Sequence, residues 1–418
     1  MKIRFIDTIF FLLGTTYLLY SIQLIIGVDA AKYFIYLTRL MLGAVLFLFV
    51  IKYQKRMILV FVPIFIFYLF YGAVNGNWIN FLFQDLLSSL ILIFIFFLTF
   101  ENRDHITKRI IDLLSVLLFF GTIAVIYYFA TNGLEAATSL ENRLNYDDSD
   151  EDFSLKNAFA LIQLSIVLLP FFWFIDSKRK IIILFGFFVY LIASVMILSR
   201  AGIAGAIFSL GMTIFIGIKE KFIRPNFKLA SFFILITLLG SFVFTRIGDD
   251  IKTLAGFAML RFQGVEGVFD SKTRTKVEIE IEEPRDIEAT EYFGSILPYQ
   301  FIIGKGMGAS NSYPFGKYHS GRGVMMMHRG ENNLIMKGGV VLLLIIYGSA
   351  IYAILRLAVT RTKFGYSYMS VILIYLLLER GHQQFSQFIM LFFLCLAVSY
   401  AFSIKSSKIK KKKLQIIN

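Results

Sequence analysis

The chain has 418 residues, 57% hydrophobic and only 17% charged, with a mean hydropathy of +0.72. A soluble domain carries about 25% charged residues, so a water-soluble globular protein is excluded, and at about 20 residues per crossing the apolar content suffices for about twelve membrane helices. The formal charge of +14, from 42 Lys plus Arg against 28 Asp plus Glu, points either to nucleic acid or to membrane topology, and the placement of the cations decides between them.

Apolar runs bounded by charges predict spans over residues 5–26, 33–51, 57–73, 81–100, 110–130, 155–175, 181–198, 201–218, 229–245, 334–355, 366–379 and 385–403. The first follows Lys2 and Arg4 as a signal peptide would. It is too long for one, holds Asp7 and lacks a small-residue cleavage site, so it reads as a retained helix. The segments 2–4, 52–56, 103–109, 178–180, 219–228, 356–363 and 405–413 fall on one side and hold twenty-four Lys and Arg; the short loops of the other side hold five, Lys32, Arg143, Lys156, Arg200 and Arg380. Basic short loops stay cytoplasmic, so both termini are predicted cytoplasmic and the surplus charge is topological. Nucleic acid therefore drops out as a partner. The terminal KIKKKK reads as a stop-transfer anchor, with contact to anionic membrane lipid as the alternative.

The predicted fold is an all-α integral membrane protein of about twelve transmembrane helices, with one large external (periplasmic) loop between helices 9 and 10. Residues 1–245 carry helices 1–9, 246–333 the external loop domain, 334–403 helices 10–12 and 404–418 a basic cytoplasmic tail. No internal repeat is evident. The single cysteine, Cys395, lies in an apolar run and excludes an intrachain disulfide.

Two hydrophilic segments face outside. Residues 131–154 contain the acidic run Asp147 to Asp152, which lacks calcium-loop spacing and reads as a solvated loop. The segment 246–333 is too long for a mere connection and is expected to be functional. Within it, residues 249–263 place Ile251, Leu254, Phe257 (or Ala258) and Phe262 on one face of an amphipathic helix. TKVEIEIEE alternates as a strand does, Pro284 opens a helix, and the glycines of GKGMGAS, Gly304 to Ser310, form turns.

Candidate chemistry starts with Arg200 in VMILSRAGIAG, between two spans joined by almost no loop and flanked by Ser199, Ala201, Gly202 and Gly205. An arginine at a membrane boundary needs a partner, and its planar fork suits phosphate. Arg285 heads the loop helix. In MMMHRGENNLIMKGG, His328, Glu331, Asn332 and Asn333 lead straight into a span, where an imidazole or carboxylate can take a proton from a hydroxyl. Arg380, with His382 in LLLERGHQQ, faces the same side and joins the binding candidates. The four histidines show no paired ligand spacing, so no metal site and no cofactor are expected.

In order, spacing and side of the membrane, several of these elements resemble the bacterial O-antigen polymerase and O-antigen ligase superfamily. They are Ser199-Arg200-Ala201-Gly202, Arg285 followed by Gly304-Lys305-Gly306-Met307-Gly308, and His328, Glu331-Asn332-Asn333-Leu334 leading to Gly338-Gly339. The likeness covers residues 181–356 in detail and the rest only through helix number. It implies a metal-independent glycosyltransferase of the bacterial inner membrane that polymerises undecaprenyl-pyrophosphate-linked oligosaccharide into O-antigen or capsular polysaccharide, with a chain-length regulator protein as a partner. Carried over, Arg200 and Arg285 bind the pyrophosphate, Asn332 and Arg380 contact substrate, and either His328 or Glu331 is the base. The family often has His directly before Asn, where this chain has Glu331. Tyr292, Tyr299, Tyr313 and Tyr318 are candidates for stacking on sugar rings, with interfacial anchoring as the rival reading.

Two other activities compete. A ligase would pass the glycan to lipid A core. A flippase of lipid-linked sugars would show charges buried within spans, and here Arg39 reads as the only clear mid-helix charge.

Overall fold

The computed structural model of the protein describes most of residues 8–19, and 28–53, 55–77, 79–132, 161–196, 200–223, 267–270, 275–278, 292–309, 330–360, 362–378 and 392–404. The expected span 229–245, the amphipathic helix 249–263, the Asp147–Asp152 run, the Pro284 helix start and the basic tail lie outside the described residues.

After helical residues within 8–19, the elements are α1 (Val28–Tyr53), α2 (Lys55–Val74), α3 (Ile79–Asn132), α4 (Leu164–Leu168) continued by a 3₁₀ turn to Phe174, α5 (Ser177–Met196) and α6 (Arg200–Lys219). A hairpin of β1 (Gly267–Asp270) and β2 (Thr275–Glu278) follows, then α7 (Pro298–Ile303), α8 (Gly330–Val359), α9 (Gly365–Leu378) and α10 (Phe392–Ile404). The protein is thus mostly helical rather than wholly so. The hairpin pairs Val268 with Val277 in antiparallel register, and β2 is the start of the alternating segment TKVEIEIEE.

Among the described residues, three helices are long and apolar enough to cross a bilayer: Asp104–Thr131, Gly202–Lys219 and Glu331–Val359. Large side chains such as Phe34, Leu40, Phe70, Ile181 and Leu344 stand more than half exposed on helix surfaces, an apolar coat suited to lipid. One expected loop is absent. Spans 81–100 and 110–130 belong to a single helical run, α3, whose 54 residues at ~1.5 Å each exceed two bilayer thicknesses. The reason is local: ENRDHITKR contains no Gly or Pro to stop a helix and several residues that favour one.

The core is built mainly from the second half of α3, α4 with its 3₁₀ turn, α5, α9 and α10, with residues of α1, α6 and α8, around the fully buried Tyr190, Tyr368 and Tyr400. Backbone polarity is managed within it. Pro170 has no N–H, so the carbonyl of Ile166 four residues earlier cannot close its helical bond. The Ser209 hydroxyl on α6 donates to that carbonyl at 2.6 Å, and Ser367 on α9 donates to the Pro170 carbonyl at 2.7 Å. In a bilayer such groups must be satisfied internally. Ser209→Ala is expected to cost about 1–3 kcal/mol, read as a lower unfolding midpoint of the detergent-solubilised protein. An unchanged midpoint would remove this role.

Polar contacts gather at two ends. At one, Arg179 pairs with Asp112 and with Asp176 at 3.1 Å, Tyr400 donates to Asp104 at 3.2 Å, and Thr107 shares a 2.7 Å hydrogen bond with Tyr368. At the other end α2, the start of α3, α7 and the start of α8 meet.

Candidate functional site

The second cluster is organised by the Gly304–Gly308 turn. Pro298 starts α7, where its missing N–H costs nothing, and the Leu297 N–H donates to Gln300 Oε1 at 3.1 Å. After this short helix the chain turns on Gly304, Gly306 and Gly308, with φ of +79°, +87° and +74°. The turn is pinned from two sides. The N–H groups of Lys305 and Gly306 donate to the Met336 and Lys337 carbonyls at 2.8 and 3.1 Å, while the Met307 N–H reaches the Tyr68 carbonyl at 3.3 Å. Tyr71 donates to the Gly304 carbonyl at 3.1 Å, Asn75 to Lys305 at 3.2 Å, and Asn77 to the carbonyls of Lys305 and Met307 at 2.9 and 2.8 Å. Gly306 allows a contact no other residue would. A Cβ there would stand 2.7 Å from the Gly72 nitrogen of α2.

Asp85 ties the turn to α8. Its carboxylate accepts the Gly308 N–H at 2.7 Å and pairs with the Lys337 ammonium, the two side chains being only 12% and 18% exposed. Both charges fall near the starts of predicted spans, Asp85 as the fifth residue of 81–100 and Lys337 as the fourth of 334–355. A shared salt bridge and a backbone donor make both tolerable there.

Of the two glycines ending the motif, Gly338 and Gly339, the second breaks α8. Gly339 has φ +67° and ψ −172°, a conformation open essentially to glycine alone. A Cβ there would fall 2.0 Å from the Ile302 carbonyl oxygen, so the break is the seat on which α7 rests.

Glu331 and Asn332 are in the first turn of α8. Glu331 is partly exposed; Asn332 is 7% exposed, and among the described residues its amide nitrogen finds no acceptor. Arg200 is the first residue of α6, but its side chain, like all of Arg285, His328, Arg380, His382, Tyr313 and Tyr318, lies outside the described residues. The structure thus joins the turn to the start of α8 and leaves the arginines unplaced. Tyr292 does not fit sugar stacking. It is only 3% exposed, packed with Ala309 and Met336, and the Lys305 ammonium covers its ring 4.8 Å from the centroid. Tyr299, 49% exposed, keeps a free face. Burial pushes the Tyr292 hydroxyl above the ordinary tyrosine range and holds the Lys305 ammonium below the ordinary lysine value.

Residue-by-residue reading of the sequence does not reach Asp85, Asn75, Asn77 or Lys337. The signal available was a lone carboxylate in FLFQDLLSSL, and an Asn-Gly-Asn turn at 75–77. No protein-family model matches the chain, and no curated protein matches it either.

Proposed function

We propose that the protein is an integral-membrane glycosyltransferase that polymerises undecaprenyl-pyrophosphate-linked oligosaccharide repeat units on the outer face of the bacterial inner membrane, with about twelve spans and both termini cytoplasmic. One observation carries the reading. The Gly304–Gly308 turn hydrogen-bonds to Met336 and Lys337 and abuts Gly338, so two motif segments of the superfamily resemblance, separated in sequence, act as one structural unit beside Glu331 and Asn332. A shared site requires such convergence.

The reaction follows from the residue types. An acceptor hydroxyl oxygen attacks the anomeric carbon of the donor, the new glycosidic bond forms, and the bond to the pyrophosphate oxygen breaks. The hydroxyl proton passes to His328 or Glu331. Arg200 and Arg285 stabilise the negative charge gathering on the departing undecaprenyl pyrophosphate, with Asn332 and Arg380 orienting substrate.

Purified protein supplied with lipid-linked oligosaccharide in detergent is expected to give longer glycans, where a flippase would give none. Arg200→Ala and Arg285→Ala are expected to abolish elongation at unchanged protein level. Unaltered product ladders from both variants would remove them from the site. Transfer to lipid A core without repeat-unit elongation would identify a ligase instead.

A further inference from the structure

Lys305 is a cation held in place without a counter-ion among the described residues. Its backbone is fixed at both ends, the N–H on the Met336 carbonyl and its own carbonyl accepting from Asn75 and Asn77. The side chain lies over the Tyr292 ring, and Tyr292 packs on Met336. Asn332 stands four residues before Met336, hence on the same face of α8 and one turn away. Its amide is buried and unpartnered among the described residues. Asp85, the carboxylate that clamps this turn, is committed to Lys337 and to the Gly308 N–H.

A half-buried ammonium costs free energy unless an anion approaches it, and so does a buried amide donor without an acceptor. An oxyanion within reach of both groups would remove both penalties at once, accepting from Lys305 and from Asn332. We infer that Lys305 and Asn332 form an oxyanion-binding subsite, floored by Tyr292 and held rigid by the glycine turn. The inference deepens the proposed polymerase reading by assigning that site a third cation besides the two arginines. Two sources share the chemistry: the pyrophosphate of the lipid carrier and the carboxylate of an acidic sugar.

The test titrates the full chain in detergent with inorganic pyrophosphate in one arm and glucuronate in the other, by calorimetry. Saturable binding of at least one is expected, weakened about tenfold or more by Lys305→Gln and by Asn332→Asp and kept by Lys305→Arg. Pyrophosphate alone would place the lipid carrier in the subsite; glucuronate alone would place a sugar acid there. Wild-type protein that binds neither, or Lys305→Gln and Asn332→Asp proteins that bind as wild type does, would overturn the inference. Elongation of lipid-linked oligosaccharide by the same wild-type preparation keeps the two ideas apart. Elongation without Lys305-dependent binding sinks the subsite alone, whereas Lys305-dependent binding without elongation sinks the polymerase reading alone.

Discussion

Asp85→Ala is expected to destabilise the folded protein by about 3–5 kcal/mol, because it leaves the Lys337 ammonium buried without its counter-charge. The same change strips the Gly308 N–H of its acceptor, so the glycine turn loses one of its attachments to α3. The double variant Asp85→Ala with Lys337→Met removes the orphaned charge and is expected to recover most of the loss. What persists is the unpaired Gly308 N–H, worth about 1–3 kcal/mol. Unfolding midpoints of the four proteins of this double-mutant cycle, compared in one detergent, provide the measurement. If the double variant is as unstable as the two single changes added together, the pair is not coupled and the clamp is wrongly assigned. Asp85→Asn is the milder control, since an amide oxygen still accepts from Gly308 while the charge is gone.

The second large effect is expected at Gly339. Its backbone conformation costs any other residue about 1–3 kcal/mol, and an added Cβ would sit 2.0 Å from the Ile302 carbonyl oxygen. Alanine there should push α7 off α8 and loosen the turn that follows, lowering the unfolding midpoint and any elongating activity together. Gly348 lies in the same helix with nothing within 4 Å of its would-be Cβ, so Gly348→Ala should leave stability unchanged or raise it slightly through helix propensity. Equal midpoints for the two alanine variants would mean that the break in α8 does not carry α7.

Helix α8 shows how far pattern alone reaches. Its apolar run is unmistakable in sequence, and the predicted 334–355 falls inside the observed Gly330–Val359. Its interior break is not visible as a helix signal, since Gly-Gly in an apolar helix is compatible with a plain helix or with close packing of a neighbour. Only the arrival of Ile302 decides which. The same holds for GKGMG: glycines mark a turn, and all three do take positive φ, but the partners that fix the turn come from residues 68–85 and 336–337. Hydropathy misplaces a loop at 101–109, where helix-favouring residues carry α3 through the charged stretch.

Charge pairing is the least local feature of this chain. Asp85 and Lys337 are 252 positions apart, and an isolated carboxylate in an apolar run gives no hint of which cation compensates it. By itself the sequence determined that the chain holds helices apolar enough to cross a membrane, where most helices lie and that a glycine turn precedes the helix beginning near residue 334, because hydropathy and backbone permissiveness are local properties. The tertiary structure alone decided that this turn, the end of α2, Asp85 and the broken start of α8 form one clamped unit around Lys305 and Asn332. Ion pairing, close backbone approach and the loss of a buried donor's partner depend on residues that meet only after folding.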